Sequence, residues 1–220
     1  MEIRQSIRSK ADLGKHDTLY TITKRVADIV ISSAALLIMS PLFIVVSYRI
    51  LKRDGKPVFE KETVAGKRNR LYTIWRFRTM TIPSKVIRSL PPHPFPEEWS
   101  NGVPDSFHFK RSAAQTVTFS GKWIKKYRLE NLPALYNVLK GDMSLVGPEP
   151  EIAEVVDHYN KHQAVRLMVK PGITGFAQVN GSTNLNHTQK IRDDLFYIEK
   201  RSIKFDLIIF SRAIRQIFKQ

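Results

Sequence analysis

Residues 29–47 read IVISSAALLIMSPLFIVVS, an apolar run without a charge. Its length approaches the ~20 residues that a membrane-crossing helix needs. Pro41 falls in its middle, where it removes a helical hydrogen bond and clashes with the carbonyl one turn back. The residue before a proline is pushed out of helical geometry, which places the break at Ser40-Pro41. Ser40 and its neighbouring serines can satisfy the backbone groups that the break sets free. Cations flank the run on both sides: Lys24 and Arg25 before it, Arg49, Lys52, Arg53 and Lys56 after it. Such cations collect on the cytoplasmic side. A helix over 21–54 that enters, bends at Ser40-Pro41 and leaves on the same face satisfies both flanks. A straight span and a buried helix of a soluble core are the other two solutions. The first 23 residues are long, polar and mixed in charge, with no small-residue cleavage site after the run, which argues against a signal peptide.

The remaining pattern predicts a mostly helical α/β domain with a small sheet. Residues 1–20 lack apolar periodicity and read as a basic tail. Segments 57–59 and 71–78 have strand composition, with a basic turn at 65–70 between them. Residues 81–116 are rich in proline and polar side chains and read as a long surface excursion. Leu129, Leu132, Leu135, Tyr136 and Leu139 recur at helical spacing, predicting a helix over 123–139 broken near residue 132 by Pro133. Further helices are predicted over 151–168 and 186–199. Residues 205–218 form an amphipathic, basic stretch suited to a membrane interface. The organisation is then tail 1–20, re-entrant helix 21–54 and a cytoplasmic domain over 55–220, without internal repeats. The re-entrant solution makes the whole a monotopic membrane protein with interfacial amphipathic helices.

The formal net charge of +16 favours anionic partners: nucleic acid, lipid headgroups or phosphorylated substrates. The apolar run shifts the balance to lipid and sugar nucleotide and away from nucleic acid. Cysteine is absent, which excludes disulfides and thiolate metal sites. Arg76 and Arg78 lie two apart on a strand, on one face, a spacing that suits a diphosphate. Gly172 and Gly175 suggest turns with positive backbone angles. Gln178 and Asn180 either read a uracil or sugar edge or pack a turn. Asp142 reads equally as a cap of a following helix or as a functional acid, and Asp194 and Asp206 as structural acids of helices or site residues.

The order of several motifs resembles the bacterial sugar transferases, small monotopic phosphoglycosyl transferases that act on polyprenyl phosphate and prime exopolysaccharide or glycan synthesis. The matching stretches are Lys24-Arg25-Val26-Ala27-Asp28, Ser40-Pro41, Pro57-Val58-Phe59 and Arg76-Phe77-Arg78-Thr79-Met80. They continue with residues 132–148 almost without interruption, then 171–181, and then Asp194, Tyr197 and Asp206. The resemblance implies transfer of a sugar phosphate from a UDP-sugar to undecaprenyl phosphate. It implies Mg²⁺ as cofactor and a covalent carboxylate–phosphosugar intermediate. It also implies a place on the cytoplasmic face of the bacterial inner membrane. Membrane lipid is then a partner, and a second copy of the chain or downstream glycosyltransferases are further ones.

At the family's Asp-Glu dyad this chain reads Glu130-Asn131, and its Gly-Pro-Arg-Pro reads Gly147-Pro148-Glu149-Pro150. One reading is a rewired site. Glu130 is nucleophile and, with Glu149, metal ligand; Asn131 completes the dyad; Arg76, Arg78 and Arg128 bind phosphates; Gln178, Asn180 and Asp194 contact substrate. A second is a membrane-bound binding or partner protein without turnover, since a displaced nucleophile is costly. A third is a different transfer on the same scaffold.

Overall fold

The computed structural model describes residues 14–81, 99, 101–104, 116–181 and 186–218. The reading of residues 1–13 as a tail, and most of the 81–116 excursion, lie outside these.

Helix α1 spans Gly14–Ile38 and α2 spans Ser40–Arg53. They meet at Met39 with a bend of 59°, and neither alone is long and apolar enough to cross a membrane. Pro41 sits in the first turn of α2, where its missing N–H costs nothing, and the Ser40 hydroxyl donates to the Leu37 carbonyl at 2.8 Å. The bend is thus where the sequence placed it. Helix α1 begins within the segment read as a tail, so the first ordered turns precede residue 20.

Strands β1 (Phe59–Ala65) and β2 (Leu71–Phe77) form an antiparallel hairpin, with Phe59 opposite Phe77 and Ala65 opposite Leu71. Alternation puts Tyr72 and Ile74 inside and leaves Leu71 and Thr73 outside. Helices α3 (Phe119–Lys126) and α4 (Ala134–Lys140) occupy the predicted 123–139 region, separated by the irregular segment 127–133. The break is therefore a whole connection rather than a kink at Pro133. Asn137 on α4 replaces a missing sheet partner for β2. Its amide donates to the Thr73 carbonyl at 2.8 Å and its oxygen accepts from Trp75 N–H at 3.2 Å. Buried backbone groups need such partners.

Strand β3 (Ser144–Val146) pairs in parallel with β5 (Gly172–Thr174). No helix follows Asp142, so it is no helix cap; it forms an ion pair with Lys140 at 3.1 Å. Gly172 and Gly175 do not adopt positive φ. They permit close approach instead: a Cβ on Gly172 would stand 2.2 Å from Gly147 N, and one on Gly175 would stand 2.7 Å from Gly147 O.

The helix predicted over 151–168 does not form. Its place is taken by strand β4 (Glu151–Ile152), which pairs with β1, a single turn α5 (Ala153–Val156) and a 3-10 segment Gln163–Met168. Asn160 is the interruption. Its side chain accepts from His162 N–H and Gln163 N–H, and Gln163 Oε1 accepts in turn from Asn160 N–H. This reciprocal cap restarts the chain in a new direction.

Helices α6 (Phe176–Asn180), α7 (His187–Lys200) and α8 (Ile203–Phe218) complete the fold. Asn186 caps α7, with Gln189 closing the capping box, as the predicted start at 186 requires. The main core joins Ile74 of β2, Val138 of α4, Leu145 of β3, Tyr197 of α7 and Ile209 of α8. A second core joins α2 to the sheet through Val46, Ile50, Phe77 and Ile124.

Candidate functional site

Glu130 lies on the connection between α3 and α4, the position where the dyad was expected. Its backbone oxygen accepts from Phe77 N–H at 2.9 Å, and Leu129 N–H donates to Ile124 O at 2.9 Å. The segment is therefore fixed at both a strand end and a helix end. Arg128 takes a left-handed conformation, φ 53°, two residues earlier. The Glu130 Oε2 atom is buried and finds no hydrogen-bond partner among the described residues. A buried carboxylate oxygen without a protein partner has its lone pairs available to a donor, a cation or a reacting centre. Asn131 follows, half-buried, its backbone oxygen accepting from Ala134 N–H.

The two arginines read as a phosphate pair part company. Arg76 forms an ion pair with Glu62 across the hairpin at 2.6 Å. Arg78 is buried beyond the strand end and donates to the carbonyls of Asp54, Gly55 and Lys56 at 2.6–2.9 Å. It holds the turn that leaves the bent helix pair. Arg128 is exposed and reaches Gln216 of α8 at 3.5 Å.

Glu149 and Asp194 do come together, in a network that includes four residues the sequence did not single out. Arg166 contacts Asp194 at 2.7 Å and Glu151 at 3.3 Å, donates to Tyr159 Oη at 2.7 Å, and fixes the Glu149 carbonyl at 2.7 Å. Lys190 bridges Glu149 at 3.3 Å and Glu151 at 3.1 Å. Three carboxylates thus share two cations. Burial pushes the Asp194 carboxyl up to about 6, against the pull of Arg166 and Lys190. For Glu151, burial is more than offset by Lys190 and Arg166, which hold it below the usual carboxylate range. Arg166, Glu151, Lys190 and Tyr159 are scattered along the chain in no recognisable spacing, so no local pattern could have exposed them.

Gln178 accepts from Gly175 N–H at 2.8 Å, capping α6, while Asn180 is exposed at the end of that helix. Turn packing accounts for Gln178. Of the residues expected at the membrane, Lys24 and Arg25 are tied to the rest of the fold. Lys24 forms an ion pair with Asp206 at 2.7 Å, and Arg25 donates to the Val138 and Leu139 carbonyls at the C-terminal end of α4. Asp28 was quoted only as part of a motif; it is buried and accepts from Ser144 Oγ and Leu145 N–H at 3.1 and 3.0 Å.

Among the described residues no three His, Asp or Glu side chains gather as a metal cluster, and no hydrogen bond or ion pair joins Glu130 to Glu149. The described side chain with an oxygen open to a hard cation here is Glu130, with Asn131 next to it in sequence. Mg²⁺ commonly takes one or two carboxylates and completes its shell with phosphate oxygens and water.

Residues 19–220 match the family described as bacterial sugar transferase. A protein of Haemophilus influenzae named uncharacterized sugar transferase is 31% identical over 199 residues, covering 90% of this chain and 41% of that protein. The undecaprenyl-phosphate galactose phosphotransferase of Salmonella typhimurium is 31% identical over 217 residues, 97% of this chain and 44% of the relative. The uncharacterized sugar transferase EpsL of Bacillus subtilis is 32% identical over 196 residues, 89% and 87% respectively. The chain therefore spans less than half the length of the first two and most of the third.

Proposed function

This chain belongs to the bacterial sugar transferase family, and from that premise we propose that it transfers a sugar phosphate from a UDP-sugar to undecaprenyl phosphate. The observation that carries this reading is the buried, unpartnered Glu130 Oε2 on a segment fixed by Phe77 and Ile124. A Glu130 oxygen attacks the phosphorus that bears the sugar. The bond to the bridging oxygen breaks and UMP leaves with that electron pair. An oxygen of the lipid phosphate then attacks the same phosphorus, the bond to Glu130 breaks, and the lipid diphosphosugar departs. A carboxylate nucleophile divides one hard transfer into two easier ones.

Glu130 and Asn131 would hold Mg²⁺, which when bound offsets charge on the diphosphate. Glu149 could join them only by leaving Lys190. Arg128, exposed beside Glu130, is the phosphate-binding cation of this reading. Arg78 serves by positioning the turn at 54–56. The bent pair α1–α2 enters the cytoplasmic leaflet and returns to the same face, and the basic amphipathic α8 lies along the surface.

The second reading, a membrane-bound binding protein without turnover, draws on one observation: the acid expected to compensate for Asn131 is held by Lys190. Detergent-purified protein given Mg²⁺, undecaprenyl phosphate and a panel of UDP-sugars separates the two. UMP release that requires the lipid and disappears in Glu130→Gln, with unchanged thermal unfolding, supports the transferase. No release with any sugar, beside an active control enzyme, abandons it for the binding protein.

A further inference from the structure

Helix α3 packs against the last turn of α2. Ser120 N–H donates to Asp54 Oδ2 at 3.3 Å and Ser120 Oγ to the Arg49 carbonyl at 3.4 Å. Gly121 is pressed against the Thr79 carbonyl, where a Cβ would stand at 2.1 Å. With Ser120, Gly121 and Ile124 buried, the opposite face of α3 points outward.

That face joins aromatic rings to cations. Arg49 lies over the rings of Phe119 and Trp123, at 5.7 and 5.1 Å, and Arg53 lies over Phe119 at 5.0 Å. Lys126 lies over Tyr127 at 5.7 Å and Lys52 over Tyr48 at 5.6 Å. Phe119 is 59% exposed and Tyr48 61%. Lys122, Lys125 and Lys126 are exposed on the same short helix. Among the described residues none of these cations pairs with a carboxylate, and the Arg49 Nε atom is buried without an acceptor.

The place of this patch along α2 decides what it meets. Ile44 and Val45 are exposed apolar residues, Tyr48 follows one turn later, and Lys52 and Arg53 follow after another. From Ile44 to Lys52 is eight residues, about 12 Å of helix axis. The helix passes over that distance from hydrocarbon-compatible to aromatic to cationic, the order of layers at a bilayer edge. Unpaired cations at the cationic level meet lipid phosphates.

We propose that the outward face of α3 and the last turn of α2 form a binding surface for the headgroups of anionic phospholipid. The proposal rests on the membrane placement given above. It adds that the site-bearing segment, which begins at the end of α3, is set at headgroup level by lipid charge.

The test reads thermal unfolding in neutral detergent micelles doped with phosphatidylglycerol, phosphatidylcholine or inorganic phosphate at equal concentration. Phosphatidylglycerol should raise the midpoint, and the other two should not. The quadruple variant Arg53→Gln, Lys122→Gln, Lys125→Gln, Lys126→Gln should weaken apparent lipid affinity on the order of tenfold or more. Lys67→Gln, Arg68→Gln, Arg70→Gln, exposed on the hairpin turn, should leave it unchanged. Equal shifts with both lipids, an equal shift with phosphate, or equal weakening in the hairpin variant would each overturn the proposal. Membrane placement itself is read separately, by whether detergent is needed to release the protein from cells.

Discussion

The Arg166 guanidinium and the Glu151 carboxylate meet at 3.3 Å with side chains only 2% and 13% exposed. Glu149, by contrast, is 42% exposed where it meets Lys190. Breaking a buried pair strands a charge, whereas an exposed pair contributes little. Glu151→Gln should therefore lower stability by about 3 kcal/mol, and Glu149→Gln by less than about 1 kcal/mol. Denaturant unfolding of both variants in detergent checks this; equal losses would refute the picture of one buried and one peripheral acid.

Asp194 gives the network a pH dependence. Its carboxyl is pushed up to about 6 by burial, so between roughly pH 4 and 6 the folded protein holds a proton that the unfolded chain has released. Stability from this group is present in full below that range and is lost as pH rises through it. Glu151, held low, acts in the opposite sense and only below the usual carboxylate range. The difference in unfolding midpoint between the natural protein and Asp194→Asn should thus change between pH 4.5 and 6.5. A difference that stays constant across that range would count against the shift.

Arg128 holds a left-handed backbone angle, φ 53°, without being glycine. That conformation costs about 1 kcal/mol or more for a residue with a Cβ. Arg128→Gly should raise the unfolding midpoint, while sugar phosphate transfer falls through loss of the cation. Arg128→Lys keeps the strain and the charge, so it should leave the midpoint unaltered and retain more activity. A midpoint that drops in Arg128→Gly would show that the Arg128–Gln216 contact outweighs the strain.

Asp28 accepts two hydrogen bonds from β3 inside the protein. Asp28→Ala leaves Ser144 Oγ and Leu145 N–H without their partner, at a cost of about 2 kcal/mol or more. Amide exchange at Leu145 should accelerate in this variant. Unchanged protection there would mean that the strand is held by its β5 pairing alone.

What the sequence made legible was governed by local rules. The break at Ser40-Pro41 follows from proline geometry and the second strand from the composition of 71–78, whereas the first strand, placed by composition at 57–59, runs over Phe59–Ala65. The start of α7 follows from the Asn186–Gln189 cap. The failures arise where tertiary contacts decide. Ile152, Val155, Val156 and Tyr159 have helix-like spacing, yet Val155 is buried against Trp99 and Val103 from a distant part of the chain, and Asn160 ends the run by capping the next turn. Strands β3 and β5 are three residues each, too short for periodicity to register.

The site was legible in part for the same reason. Glu130 could be found because its flanking block is continuous in sequence. The partners of Glu149 and Asp194 are Arg166 and Lys190, which only the packing of α7 against the 163–168 turn brings near. Arg76 and Arg78 shared a face on paper. In the structure the strand ends at Phe77, and Arg78 turns to three backbone carbonyls instead.

The first helix serves two ends at once. Its stretch toward Met39 is the apolar arm, while Lys24, Arg25 and Asp28 on the same rigid rod reach α8, α4 and β3. Cutting the arm away would also remove a wall of the core, to which Ala35 and Leu36 contribute. Conversely, a tilt of the arm is passed through Arg25 and Asp28 to α4 and β3, the two elements that bracket the Gly141–Met143 turn. On the membrane placement proposed above, bilayer thickness would then act as a mechanical input to the protein's interior.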